Sequence, residues 1–97
     1  MRVRYTRTAL VELEEILAFI AKDNVAAASS VAERIEHSIA QLAEFPYLAQ
    51  MADEEGVRLT VRRLPYIVYY TVDRSEVVIL HIRHGARKSW RPDRRIA

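Results

Sequence analysis

The chain has 97 residues, 51% hydrophobic and 29% charged, which implies one small folded domain and excludes a disordered polymer. With no cysteine, disulfides and thiolate metal sites are excluded as well. The opening MRVRYTRTAL lacks the continuous apolar core of a signal peptide. No apolar run approaches the roughly 20 residues of a membrane-spanning helix, so a cytoplasmic protein with no membrane partner is expected.

Net charge is +2, but it is divided unevenly. Residues 1–55 hold five basic and ten acidic groups, a net −5, whereas residues 56–97 hold ten basic and three acidic ones, a net +7. Such a division implies a basic surface for an anionic partner, either nucleic acid or an acidic protein segment. For any single arginine a solvated rim remains the ordinary explanation.

Arg2 to Tyr5 alternates charged and apolar residues, as a short half-buried strand does. A helix follows, with Thr6 or Thr8 as its N-cap. Leu10, Leu13, Leu17 and Ile20, with Ala9 and Ile16 beside them, recur at helical spacing and predict its buried face. Glu12, Glu14 and Glu15 fall in the early turns, where the helix dipole favours carboxylates. Asp23-Asn24 interrupts the pattern, and Asn24 is a good cap for a second helix running to about Phe45. Its stripe is Ala28, Val31, Ala32, Ile35, Ile39 and Leu42. The short joint requires an antiparallel helical hairpin. Phe45-Pro46 ends the second helix, because proline has no N–H and biases its predecessor away from helix.

Tyr47 to Gly56 reads as one extended loop. Beyond it the period changes to two. Val57, Leu59 and Val61 alternate with Arg58, Thr60 and Arg62; Tyr66 to Val72 (YIVYYTV) is a more central strand, and Glu76 to Arg83 (EVVILHIR) is the last. Asp73-Arg74-Ser75 is the tight connection between these two, of uncertain turn type because it lacks glycine. From about residue 88 to 97 the chain is a basic tail. The expected fold is α+β, in the order β-α-α-β-β-β: one domain whose N-terminal helical hairpin packs on one face of a small antiparallel sheet.

Several stretches, in this order and spacing, resemble the ParE/RelE superfamily of toxins from type II toxin–antitoxin systems. They begin with Ala9, Leu10, Leu13, Glu14, Ile16 and Phe19-Ile20-Ala21, then Asn24 before Ala26-Ala27-Ala28, then Leu42 and Phe45-Pro46. Arg58, the Tyr66, Val68, Tyr70, Val72 alternation, and Val77 through His84-Gly85-Ala86-Arg87 complete the set, from Tyr5 to Arg87. The HGAR segment after the last strand is closer to the ParE branch. That branch implies a protein that inhibits DNA gyrase by binding it and is neutralised by a cognate antitoxin. The RelE branch implies a ribosome-dependent mRNA endoribonuclease. An inactive homologue acting only in an autoregulatory antitoxin complex is a third possibility. The resemblance implies an acidic antitoxin of ribbon-helix-helix type, which would supply any DNA contacts.

RNA cleavage through the 2′-hydroxyl needs a base, cations for the phosphate and an acid for the leaving oxygen. RelE-like toxins take these from lysines and arginines on the middle strands and a C-terminal tyrosine or histidine. Here the only lysines are Lys22 and Lys88, neither on a middle strand, and arginine stays protonated and is a poor base. A nuclease would have to use His81, Arg83, Arg62, Arg58 and Tyr69, so the residues favour binding over catalysis. Strict alternation puts His84 with Val78, Leu80 and Ile82 toward the helices, as a packed histidine, and puts His81 and Arg83 with Val77 and Ile79 on the other face. The outward face thus presents Ile67, Tyr69, Val77 and Ile79 within arginines, a receptor for an amphipathic acidic peptide. Arg58, Arg62, Ile67, Tyr69 and Arg83 are the expected antitoxin contacts, together with the helical hairpin. Arg87, Lys88, Trp90 and Arg91 are the expected target-binding residues, an aromatic among cations that can stack and bond to carboxylates or phosphates. His37 beside Glu33 and Glu36 reads as a solvated helix face, and no metal or other cofactor is expected.

Overall fold

A computed structural model of the chain describes residues 1–46, 51–53, 56–61 and 64–85. The elements are β1 (Arg2–Tyr5), α1 (Arg7–Ala21), α2 (Val25–Glu44), β2 (Met51–Asp53), β3 (Gly56–Thr60), β4 (Tyr66–Asp73) and β5 (Glu76–His84). This is the expected α+β order with one addition. The stretch read as a single loop contains β2, which pairs antiparallel with β3 through Met51↔Arg58 and Asp53↔Gly56.

Thr6, not Thr8, caps α1, and its hydroxyl has two duties. It accepts the Ala9 N–H at 3.1 Å and lies 3.0 and 3.1 Å from the carbonyls of Ile79 and Leu80, to which it donates. The helix start is thereby fastened to β5, the partner of the strand it follows. No acidic residue lies in the first turn, so the expected dipole role of Glu12 gives way to another, described below. Asn24 caps α2 as predicted, accepting from Ala27 N at 2.9 Å. After α2 the Pro46 carbonyl accepts the Tyr70 hydroxyl at 2.8 Å, tying the end of the hairpin to the sheet.

The strand order is β1-β5-β4-β3-β2. β1 runs parallel to β5, from Arg2↔Glu76 to Tyr5↔Ile79, so the sheet is mixed, and the other pairings are antiparallel. Between the sheet and the hairpin lies a core of Ala9, Ile35, Ile39 and Leu42 from the helices with Val61, Val68, Tyr70, Val77, Ile79 and Ile82 from the other side. Each buried aliphatic side chain contributes about 1.5–3 kcal/mol relative to its exposed state. On α1 the inward face is Ala9, Leu13 and Ile16; Leu10, predicted as part of it, is 46% exposed. The reason is proximity: Ala9, with almost no side chain, is fully buried where α1 leaves the sheet, which sets the helix phase and turns its neighbour outward.

A bulge in β5 corrects a second expectation. Tyr69 pairs with His81 while Tyr70 pairs with Ile79, so Leu80 has no partner in the β4 register. An extra residue reverses the side-chain alternation on its strand. Val77 and Ile79 therefore face the helices with Ile82, whereas strict alternation had put them on the outward face. His81 and Arg83 stay outward because they follow the bulge.

The β4–β5 connection is a two-residue turn, Arg74-Ser75, between the paired Asp73 and Glu76. Arg74 has φ 59°, the left-handed region, and among the described non-glycine residues it alone does. Positive φ at the first central position is what a type II′ hairpin turn requires.

Candidate binding face and the Glu12 cluster

The sheet face turned away from the hairpin is built in rows across the strands. Tyr69 lies beside His81 and Ile67 beside Arg83, and in backbone register Arg58 is opposite Tyr69 and Thr60 opposite Ile67. On the far side of the bulge, Thr71, Val78 and Arg4 form a further row. Of the expected antitoxin contacts, Ile67, Tyr69 and Arg83 are thus gathered on one face, with Arg58 opposite Tyr69 in backbone register. Arg62 lies outside the described residues, as do Arg87, Lys88, Trp90 and Arg91.

The face is less open than an apolar receptor patch. Tyr69 is 1% exposed and Val78 4%, although neither belongs to the core under the helices. The Tyr69 ring meets His81 edge-on, with centroids 6.3 Å apart. Ile67 and Arg83 are half-buried. His84 is packed as predicted, edge-on to Tyr66 with centroids 5.3 Å apart.

The residue that sequence reading missed is Glu12. β1 ends at Tyr5, opposite Ile79, so β5 continues beyond its partner strand. α1 lies along that stretch, and the Glu12 carboxylate reaches it. Oε1 accepts the backbone N–H of Ile82 at 2.9 Å, standing in for the missing strand. Oε2 lies 3.2 Å from Arg83 Nε, an ion pair whose side chains are 25% and 21% exposed. His81 Nδ1 is 3.3 and 3.4 Å from the two carboxylate oxygens and 3.1 Å from Arg83 Nη2. One carboxylate therefore fixes the backbone of β5 and the side chains of both His81 and Arg83. A signal did exist in the sequence: Glu12 is three residues after Ala9 and four before Ile16, on the flank of the buried stripe rather than the solvent side.

Chemically the cluster can hold anions or orient a histidine. Arg83 is the cation of the cluster, Glu12 offsets its charge, and His81 contacts both. Among the described residues no group of three His, Cys, Asp or Glu side chains could hold a metal ion. His37 is exposed on α2, as are Glu33 and Glu36. No helix among the described residues is long and apolar enough to cross a membrane.

With this geometry in place, comparison with known proteins is informative. The family model for the ParE toxin of the type II toxin–antitoxin system parDE matches residues 3–89. A relative described as "Putative toxin Y4kP", from Sinorhizobium fredii, is 38% identical over 90 residues, which is 92% of either protein. Among solved structures, a chain of the chromosomal ParDE toxin–antitoxin system from P. aeruginosa has the same fold. Its TM-score is 0.74 at 20% identity, over 87% of this chain and 95% of that one. A family match that runs from within β1 to beyond β5, with a relative of nearly equal length, decides the matter: the chain belongs to the ParE family of toxins of type II toxin–antitoxin systems.

Proposed function

We propose that this toxin stops growth by binding and inhibiting DNA gyrase, and that a cognate acidic antitoxin neutralises it. The observation that carries the gyrase reading is the ParE family match over residues 3–89. The chemistry agrees with binding rather than cutting, since no lysine occurs between Lys22 and Lys88. Arg87, Lys88, Trp90 and Arg91 are the proposed target contacts. The antitoxin, an acidic segment joined to a ribbon-helix-helix DNA-binding part, would lie across Arg58, Arg62, Ile67 and Arg83 in the cytoplasm, above the buried Tyr69. Purified toxin should abolish gyrase supercoiling at saturation, and added antitoxin should restore it. Trp90→Ala combined with Arg91→Ala should weaken inhibition at least tenfold with the fold unchanged. Normal supercoiling at saturating toxin would refute the target.

One observation favours a second reading, cleavage of mRNA on the ribosome. His81 Nδ1 faces the Glu12 carboxylate, an arrangement that can orient an imidazole as a base. Codon-positioned cuts in primer extension after induction, lost in His81→Ala, would establish it. If expression without antitoxin leaves growth normal, both toxic readings fail, and a role confined to the autoregulatory antitoxin complex remains.

A further inference from the structure

The Glu12 cluster contains a conflict at a single atom. His81 Nδ1 lies 3.1 Å from Arg83 Nη2, which can only donate, and 3.3 and 3.4 Å from the Glu12 oxygens, which as a carboxylate only accept. In a neutral ring Nδ1 either offers its lone pair to Arg83 or donates its proton to Glu12. It cannot do both. The two arrangements differ in which tautomer is present and in whether His81 adds to the hold that Glu12 has on Arg83 through Nε.

Glu12 itself is anchored independently of this choice. Its shortest contact in the cluster is the 2.9 Å bond from the Ile82 backbone, which does not involve Arg83. Loss of the Arg83 contact therefore leaves the carboxylate in place, with His81 Nδ1 available to donate to it. The cluster can exchange one partner for another without stranding a half-buried charge, which would otherwise oppose the release.

We propose that Glu12 is an intramolecular competitor for Arg83, displaced when a carboxylate of an acidic partner segment takes the arginine. In the unbound chain Arg83 donates to both Glu12 and His81 Nδ1, and the imidazole proton is on Nε2. When the partner's carboxylate engages Arg83, the ring proton is relayed through water to Nδ1 and donated to Glu12. This inference rests on the reading that an acidic segment docks on this face. It concerns regulation of that docking and is independent of which cellular target the toxin attacks.

The test uses hexaglutamate as the probe and NMR of the side chains as the readout. In Glu12→Gln the amide oxygen can still accept from Ile82, but the competing charge is gone. This variant should bind hexaglutamate about two- to fivefold more tightly than the parent, read from the Arg83 Nε–H resonance. Glu15→Gln, an equal charge change at an exposed position of the same helix, should gain less than half as much. In the unmodified chain the His81 ring nitrogens should change from Nε2–H to Nδ1–H as the peptide saturates. Equal gains in the two variants, weaker binding by Glu12→Gln, no saturable shift, or an unchanged tautomer would each overturn the proposal. The tautomer arm needs no substitution, so a variant that fails to fold leaves the test intact. A chain that spares gyrase yet shows these shifts would lose the proposed target and keep the competitor.

Discussion

Arg74 sits at φ 59°, in a region that costs a side-chain-bearing residue roughly 1 kcal/mol and glycine almost nothing. Arg74→Gly should therefore raise the melting temperature by about 4–8 °C for a domain of this size, by calorimetry. Tyr5 gives a second expectation. Burial first, and then the negative charge of Glu36, raise its phenol above the ordinary value of 10.0. A raised pKa means that the folded chain holds the proton after the unfolded chain has released it. Its contribution is complete below pH 10 and is lost as pH climbs through the folded value. Denaturation of Tyr5→Phe followed from pH 9 to 11.5 should show a shallower decline than the parent; a matching slope would place the alkaline sensitivity elsewhere. At this scale legibility was mixed. Asn24 as a cap follows from its position before an alanine-rich helix, and Tyr66, Val68, Tyr70 and Val72 face inward as their alternation requires. Glu12 was not legible as a clamp, because its partners lie about 70 residues away and come close only once α1 lies along β5.

Both helices and four of the five strands could be recognised from periodicity alone, but their rotation and offset could not. A helical stripe broad enough to include Ala9, Leu10, Leu13, Ile16 and Leu17 does not say which edge of it meets the sheet. The structure chooses Ala9, Leu13 and Ile16. Leu13→Ala should accordingly cost about 2 kcal/mol in urea denaturation, whereas Leu10→Gln should change stability by no more than ~0.5 kcal/mol. The reverse ranking would mean that α1 is rotated. In β5 the failure had a different origin. A bulge is set by pairing with a neighbour, so one extra residue at Leu80 defeats any count of alternation made along the strand itself. His81 and Arg83 were placed correctly only because they lie beyond it.

For the molecule as a whole, the division of charge seen in the sequence separates the acidic helical hairpin from the basic sheet and C-terminal region. Attraction of the proposed acidic antitoxin to that half should be screened by salt, since the Debye length falls from about 10 Å at 0.1 M to about 3 Å at 1 M. The association rate should drop about tenfold between 0.05 and 0.5 M sodium chloride in stopped-flow measurements, with a smaller change in dissociation. A flat salt profile would show that apolar contacts guide the encounter. The layered fold was legible because hairpin and sheet are local patterns. The parallel β1–β5 pairing was not, since nothing within Arg2–Tyr5 names its neighbour.

That pairing also governs the order in which the protein can assemble. β1 leaves the ribosome before the other described strands, yet its partners run from Glu76 to Ile79, and the Thr6 hydroxyl waits for carbonyls 73 and 74 residues downstream. Helices α1 and α2 can form as soon as they are made, but they have no sheet to cover until β4 and β5 exist. Contacts of such long sequence separation slow folding, because the loop must close before they repay its entropy. Synthesis therefore passes through a long interval in which the hairpin is complete and the toxin is not. An antitoxin would meet the face proposed for it only after β5 has emerged, when β1 and β5 come together.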